Sequence, residues 1–410
     1  MKLIRESRDG TVLYTLTSSG DILGYVAVDT TINGRSCGGL RMLSDVNADE
    51  VVGLAQAMTL KYGFLGLPQG GAKAGVRGDP EAPAEERMVR LAAFGSGIAK
   101  LLTSGTFIPH PDMGTCGADI DAMLRSIGIT VPAKSVEDHD SGYYTAISVE
   151  AAAVAALRQR GLALRGSRAA IEGFGKVGKP LAYHLNRAGV RVVAISTRLG
   201  AIYDPNGLDV PRLLELSRLM GSAMVDGYPG AARISSAELL ELPVELLSPC
   251  ARHHSIHAGN ARSLQCRVIC AGANNPVTRE AEEILERRGV LYLPDFMSNS
   301  GGVLGGTMEF AGVSARRITE LISLGIASSV EELLRQSAVQ GTTPRAIAEN
   351  LSRARFAAAK QAAEHPAPWS LLLRAGLMAY RHGLIPTQVV GSLAPAYFRR
   401  LPLFRPPAVT

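Results

Sequence analysis

The chain has 410 residues, more than one ordinary core requires and enough for two α/β domains. Aliphatic residues are plentiful, aromatics are scarce, and no apolar run reaches bilayer length, which excludes a membrane-spanning helix. The net charge of +6 raises nucleic acid as a partner. However, residues 311–410 alone carry twelve Lys and Arg against five Asp and Glu, with no RNA-binding or DNA-reading module, so a solvated helical face or an interface accounts for the charge.

Met1 to Asp9 is charged and lacks the apolar core and cleavage site of a signal peptide, so the cytoplasm is the expected compartment. Thr11 to Leu16 and Ile22 to Asp29 alternate as short strands, and Asp49 to Tyr62 and Glu85 to Leu102 have helical periodicity. Between these helices lies a Gly/Pro-rich stretch, Gly63 to Pro80. A second unit starts near Thr145, where Ile147 to Arg160 reads as an Ala-rich helix. It leads into the strand Ala169 to Glu172, a glycine turn, the helix Lys179 to Ala188 and the strand Arg191 to Ser196. Apolar runs at Val244 to Leu247, Val268 to Cys270 and Val290 to Leu293 continue the cadence of a parallel, doubly wound sheet. After Phe310 the chain turns helical, with Pro344 in the first turn of a helix. The expected fold class is α/β with two domains. Residues 1–140, with part of 330–410 packing back, form one; 141–329 form a Rossmann-type dinucleotide-binding domain; 361–410 form a basic, Pro-containing extension.

Five scattered cysteines, Cys37, Cys116, Cys250, Cys266 and Cys270, read as reduced thiols. Neither the Cys266/Cys270 spacing nor the cluster His253, His254 and His257 has the paired grammar of a zinc site, so no metal is expected. The turn Gly173-Phe-Gly175-Lys176-Val177-Gly178 follows a strand and opens a helix, the setting in which this motif binds a dinucleotide. In that order Gly173 makes the tight turn, Gly175 admits the pyrophosphate and Gly178 packs helix on strand, with the phosphates at the helix N-terminus. The acidic residue usual at the end of the next strand is replaced by Ser196-Thr197-Arg198. Two hydroxyls and a guanidinium there suit a 2′-phosphate and favour NADP over NAD.

Lys61 and Lys73 are twelve residues apart, the second inside what reads as a Gly-rich turn. A lysine held among glycines and apolar residues near a second cation loses basicity and can act as a base; a surface lysine on a flexible loop is the plainer alternative. In Pro109-His-Pro111-Asp112-Met-Gly-Thr115, prolines and a glycine fix one carboxylate, which can shuttle protons or simply cap a turn.

Six motifs occur in one order: Gly38-Gly39-Leu-Arg41-Met42, the two-lysine stretch, Pro111-Asp-Met-Gly-Thr115, the glycine turn, Ala271-Gly-Ala273-Asn274-Asn-Pro276, and Pro294-Asp-Phe-Met-Ser-Asn299-Ser-Gly-Gly-Val303. That register, from about Leu23 to Phe356, resembles the glutamate/leucine/phenylalanine/valine dehydrogenase family. The resemblance implies an NAD(P)-dependent L-amino-acid dehydrogenase acting on an amino acid, or on its 2-oxo acid and ammonia, assembled as a homo-oligomer. By it, Lys61 holds the substrate carboxylate, Lys73 is the catalytic lysine, and Asp112 exchanges protons with the substrate nitrogen. Gly39 joins the substrate site, Thr145, Ala273 and Asn274 line the nicotinamide side, and Asn299 belongs to the stretch that closes the cleft. His253 and His254 replace ordinary helix residues, and Gln69 and Ala72 depart from the family's more uniformly Gly-rich loop.

Two further positions bear on the substrate. Glutamate-specific relatives carry a lysine where this chain has Cys37, and a serine or valine-like residue where it has Gly306. Without the cation, and with Gly305 and Gly306 stripping the pocket wall, the resemblance implies a bulky apolar side chain; helix packing is the other use of such glycines. The same residues leave open a relative that couples oxo and amino acids by imine chemistry. A non-catalytic nucleotide-binding regulator would be expected to lack Lys73 or Asp112.

Overall fold

The alternating strands begin earlier than Thr11. The computed structural model describes residues 1–130, 141–366, 376, 378–380 and 383–404, and in it Lys2–Arg8 already forms strand β1, paired antiparallel with β2 (Thr11–Ser18). All of β1 is exposed. With no buried face to write a hydrophobic alternation, the segment reads as a charged terminus, and its Lys2, Arg5 and Arg8 are residues that blunt a sheet edge.

The chain divides into two units: Met1–His139 with Glu309–Val313 and Asn350–Leu401, and Asp140–Met308 with Ser314–Glu349 and Pro402–Thr410. The boundary expected at residue 140 lies outside the described residues, as do parts of the expected extension from 361 onward.

In the first unit β3 (Asp21–Val28), β4 (Ser36–Leu43), helix α1 (Ala48–Leu65) and β5 (Gly70–Arg77) are followed by α2 (Ala84–Gly97), α3 (Ala99–Thr103), β6 (Ile108–Pro111) and α4 (Gly117–Ser126). The six strands run in the order β1-β2-β3-β5-β4-β6, antiparallel as far as β5, with β4 parallel to both of its neighbours. Two cores follow from the period-2 alternation of the strands. Leu40, Met42, Ala72, Ala74 and Val76 cluster with Leu91, Phe94 and Met123 of α2 and α4. Tyr25 and Ala27 cluster with Val51, Val52 and Ala55 of α1. The single helix expected over Glu85 to Leu102 is broken at Ile98. Around the break, a Cβ on Gly95 would crowd Met123 and one on Gly97 would crowd Leu16, so close packing is retained at the expense of helix propensity.

The second unit contains α5 (Ser141–Gln159), β7 (Arg168–Glu172), α6 (Gly178–Arg187), β8 (Arg191–Thr197), β9 (Gly200–Tyr203), α7 (Val210–Met220), α8 (Met224–Gly227), β10 (Ala232–Ile234) and α9 (Ser236–Leu240). Next come β11 (Leu246–Pro249), β12 (Val268–Cys270), α10 (Arg279–Arg287), β13 (Leu291–Leu293), α11 (Asp295–Ser298), α12 (Gly301–Phe310), whose last two residues belong to the first unit, and α13 (Ala315–Gln340); α14 (Pro344–Glu364) begins in the second unit and from Asn350 onward belongs to the first. The sheet order is β10-β9-β8-β7-β11-β12-β13. Its five strands from β8 to β13 are parallel, whereas β9 and β10 add an antiparallel edge that the apolar runs did not announce. Strand order reverses at β7, so the crevice at the carboxyl ends of β7 and β11 is where such a sheet binds ligands. His253 and His254 stand in a turn rather than a helix; His254 has φ of 53° and its amide donates to Asn275 O at 2.8 Å.

Candidate active site

Lys73 is not on a turn. It sits in the middle of β5, opposite Ala27 of β3 in the antiparallel register, and is 3% exposed. The Gly-rich spelling that suggests a loop has a packing origin. A Cβ on Gly71 would crowd Thr59 and one on Gly75 would crowd Val46 and Val51, so the face of β5 turned to α1 consists of glycine, Lys73 and glycine. The strand's other face, Ala72, Ala74 and Val76, lies in the core.

Three elements bring charges to Lys73. The Asp112 carboxylate, just beyond β6, receives Lys73 Nζ at 2.7 Å. Arg41 of β4 places Nε at 3.0 Å and Nη2 at 2.9 Å from Asp112 Oδ2, and its Nη1 pairs with Glu50 of α1. Asp112 is held in turn by its surroundings: its amide donates to Thr115 Oγ1 at 3.0 Å, that hydroxyl donates to Leu40 O at 2.7 Å, and Met42 N donates to Met113 O at 2.9 Å. Gly39 is part of the cradle, since a Cβ there would stand 2.8 Å from Asp112 Cβ and 2.9 Å from Lys73 Nζ.

Burial lowers the basicity of Lys73; Asp112 opposes that effect and Arg41 reinforces it, leaving the amine below the ordinary lysine range. Burial alone would raise the Asp112 carboxyl, but Arg41 and Lys73 outweigh it and hold the group well below the usual carboxylate range. Arg41 thus supplies a cation that the sequence reading sought in Lys61. Lys61 is itself buried, on α1. Cys37, on β4 beside Gly71 of β5, is also buried and hydrogen-bonded to the Tyr62 hydroxyl, whose ionisation burial strongly disfavours.

In the second unit Gly173 has φ of 92°, a conformation open to glycine and costly for other residues, and its amide donates to Ser196 Oγ at 2.8 Å. A Cβ on Gly178 would collide with Gly173 O, whereas around Gly175 nothing lies within 4 Å of where a Cβ would stand. Gly175 and Lys176 are exposed, Val177 is the N-cap of α6, and Gly178 begins that helix, so open space meets a helix N-terminus, as a pyrophosphate requires.

The hydroxyls expected to flank a 2′-phosphate are otherwise engaged. Ser196 is buried and accepts from Gly173; Thr197 Oγ1 donates to Ser222 O at 3.0 Å and accepts from Leu199 N at 3.2 Å. Arg198 remains exposed. Arg233 of β10, which the sequence reading missed because it lies 35 residues further on, donates to Leu199 O at 2.8 Å in the same turn.

Asn299 is buried and its Nδ2 donates to Ala273 O at 3.0 Å and Asn274 Oδ1 at 3.1 Å, so these three residues form one cluster in the second unit. Thr145 Oγ1 donates to Ser141 O at 2.7 Å. Gly305 does not strip a pocket wall: a Cβ there would strike the Tyr144 ring, so this glycine lets α12 pack on α5. Gly306 is half-buried on α12.

The model of the Glutamate/Leucine/Phenylalanine/Valine dehydrogenase family matches residues 138–363, and that of the Glu/Leu/Phe/Val dehydrogenase dimerisation domain matches 16–128. The chain belongs to this family. Among family members, the glutamate dehydrogenase of Thermotoga maritima is 38% identical over 294 residues, covering 68% of this chain and 70% of its own. An NADP-specific glutamate dehydrogenase of Saccharolobus shibatae is 32% identical, covering 70% of this chain and 71% of its own. An NAD-specific one of Staphylococcus aureus is 33% identical, covering 68% and 70%. Of solved structures, the hetero-hexameric glutamate dehydrogenase of Thermus thermophilus in its leucine-bound form superposes with a TM-score of 0.72 at 29% identity, covering 86% of this chain and 89% of that one. As a member of the glutamate/leucine/phenylalanine/valine dehydrogenase family, the chain is an amino-acid dehydrogenase with NAD(P) binding. No helix among the described residues is long and apolar enough to cross a membrane.

Proposed function

We propose that the chain interconverts an L-amino acid bearing an apolar side chain with its 2-oxo acid and ammonia, using NADP in preference to NAD. The observation that carries this reading is the buried Lys73 amine, kept below the ordinary lysine range and in contact with an ionised Asp112. The dinucleotide, held at Gly173 to Gly178, supplies or accepts the hydride exchanged with the substrate α-carbon. In the deaminating direction, loss of that hydride leaves an iminium. Lys73 removes a proton from water as its oxygen bonds to the α-carbon, and the resulting carbinolamine takes a proton on nitrogen by way of Asp112. The C–N bond then breaks, ammonia departs with the bonding pair, and the hydroxyl proton leaves to give the 2-oxo acid. Lys61 holds the substrate carboxylate throughout, and the two lysines oppose the negative charge that develops on oxygen.

The apolar substrate rests on Cys37. A distal carboxylate brought to this position would meet a thiol and a phenol in place of the lysine that glutamate-specific relatives carry there, and burying a carboxylate without that partner is costly. Gly306 adds room on the same reading. The preference for NADP rests on Arg198 and on the lack of a carboxylate at the end of β8; Arg233, in the same turn, is already paired with Asp226 at 3.2 Å and adds little. Assembly of like chains through the first unit is supported by the match to a dimerisation domain.

Ammonia-dependent oxidation of NADPH and NADH across 2-oxo acids, from 2-oxoglutarate to branched aliphatic and aromatic ones, tests the reading. Highest kcat/KM is expected on an apolar oxo acid, and highest kcat/KM on 2-oxoglutarate would refute the pocket argument. Lys73→Ala is expected to lose ~10²-fold or more in kcat with cofactor affinity nearly unchanged. Retention of over about a tenth of kcat would remove Lys73 from the base role.

A further inference from the structure

The site contains two buried charges that the mechanism above does not use, Arg41 and Glu50, both less than a tenth exposed. Their placement is specified from three directions. Arg41 lies in β4, opposite Gly75 of β5, with Gly39 two residues earlier opposite His110 of β6. Glu50 lies in the first turn of α1, where its amide donates to the N-cap Asn47 Oδ1 at 3.0 Å and where a helix favours a carboxylate. The guanidinium is a rigid planar fork, and here it turns Nη1 to Glu50 and Nε and Nη2 to one oxygen of Asp112. Lys73 Nζ addresses that same oxygen, Oδ2.

We infer that the pair Glu50–Arg41 is the positioning element of the site: it holds Asp112 by Oδ2 against Lys73 and leaves Oδ1 as the oxygen that exchanges protons with the substrate nitrogen. The inference rests on the catalytic reading of Lys73 and Asp112 and adds to it a division of labour. A lysine that acts as a base gives up its charge in each cycle, so it cannot by itself keep a neighbouring carboxylate ionised. A guanidinium does not titrate in proteins. Arg41 therefore keeps Asp112 anchored and charged whichever state Lys73 is in, and Glu50 keeps the fork from swinging.

The groups around Lys73 give the pair opposite electrostatic signs. Arg41 from β4 lowers its basicity, while Asp112 after β6 and Glu50 from α1 raise it. The partner from β3, Ala27, is apolar, and α1 and β4 also carry the buried Lys61, Tyr62 and Cys37. Neutralising Arg41 therefore makes Lys73 more basic, and neutralising Glu50 makes it less so. Opposite shifts show that both charges act on Lys73, and Arg41→Lys, which keeps the charge and loses the fork, separates positioning from charge alone.

The test uses the full-length enzyme and the variants Arg41→Gln, Arg41→Lys and Glu50→Gln. The pH midpoint of Lys73 is read without reference to activity, by competitive acetylation with acetic anhydride and mass spectrometry of the Lys73 peptide. Against wild type, the midpoint is expected to rise by about one pH unit in Arg41→Gln and to fall in Glu50→Gln. Arg41→Lys keeps the charge without the fork and is expected to return the midpoint towards wild type while kcat stays at least about tenfold low, with the KM for NADPH unchanged. Midpoints that stay put, or move together in both neutral variants, overturn the inference. If Arg41→Gln fails to fold by circular dichroism, the sign of the Glu50→Gln shift decides alone. Should Lys73→Ala remain active, the catalytic reading fails while the midpoints still report on the pair, so the two failures are distinguishable.

Discussion

Glu172 ends β7 immediately before the glycine turn and is 8% exposed. Burial pushes its carboxyl up to about 7, against a smaller opposing effect from Ser255, whose hydroxyl donates to Oε2 at 2.8 Å. Because the folded chain binds this proton more tightly than the unfolded chain does, stability falls as pH rises from 4.5 to about 7 and levels off above it. The gap between those two values corresponds to about 3 kcal/mol, an upper figure for a group with some access to water. Glu172→Gln keeps an acceptor for Ser255 and removes the titration. In urea denaturation at a series of pH values the two proteins are expected to be similar near pH 5, with Glu172→Gln the more stable above pH 8 by up to about 3 kcal/mol. A gap that does not change with pH, or one that widens on acidification, would refute the reasoning, for it would mean that Glu172 is ionised in the fold.

Arg198→Ala is expected to cut kcat/KM for NADPH roughly tenfold or more with little change for NADH, the size of one charge-assisted contact, measured in parallel assays of the two cofactors. Cys37→Lys is expected to raise kcat/KM on 2-oxoglutarate and lower it on apolar oxo acids; an unchanged ranking would place Cys37 outside the side-chain pocket. Gly305→Val drives a side chain into the Tyr144 ring and is expected to destabilise the second unit by about 1–3 kcal/mol in urea, without reordering substrates.

The parallel part of the second sheet was legible in the sequence because each buried strand is a short apolar run and Gly173 to Gly178 has one common structural use. The antiparallel edge was not: β9 has an apolar, buried centre at Ala201 and Ile202 but is only four residues long and sits among Gly, Asp and Pro, and β10 is three residues with Ala232 and Arg233 exposed. In the first unit the motifs located Lys73 and Asp112 but mistook the setting of the lysine. Three glycines among the eight residues of β5 signal a turn when the alternative, a strand pressed against a helix, depends on Val46, Val51 and Thr59 far away in sequence. Arg41 was quoted within a motif and given no role for a similar reason. Its importance lies in Glu50 and Asp112, 9 and 71 residues away, and no local pattern joins them. At the end of β8 the residue types were visible, but the destinations of the Ser196 and Thr197 hydroxyls were not.

A base carried on a loop is lost whenever the loop frays. Lys73 is carried by β5, with β3 on one side and β4 on the other, so no opening smaller than the unfolding of that sheet releases it. Amide hydrogens of β5 then exchange with solvent only on the slow timescale of that unfolding. Thermal inactivation through the base follows the melting of the first unit, with no earlier phase in which the fold survives and the amine is displaced.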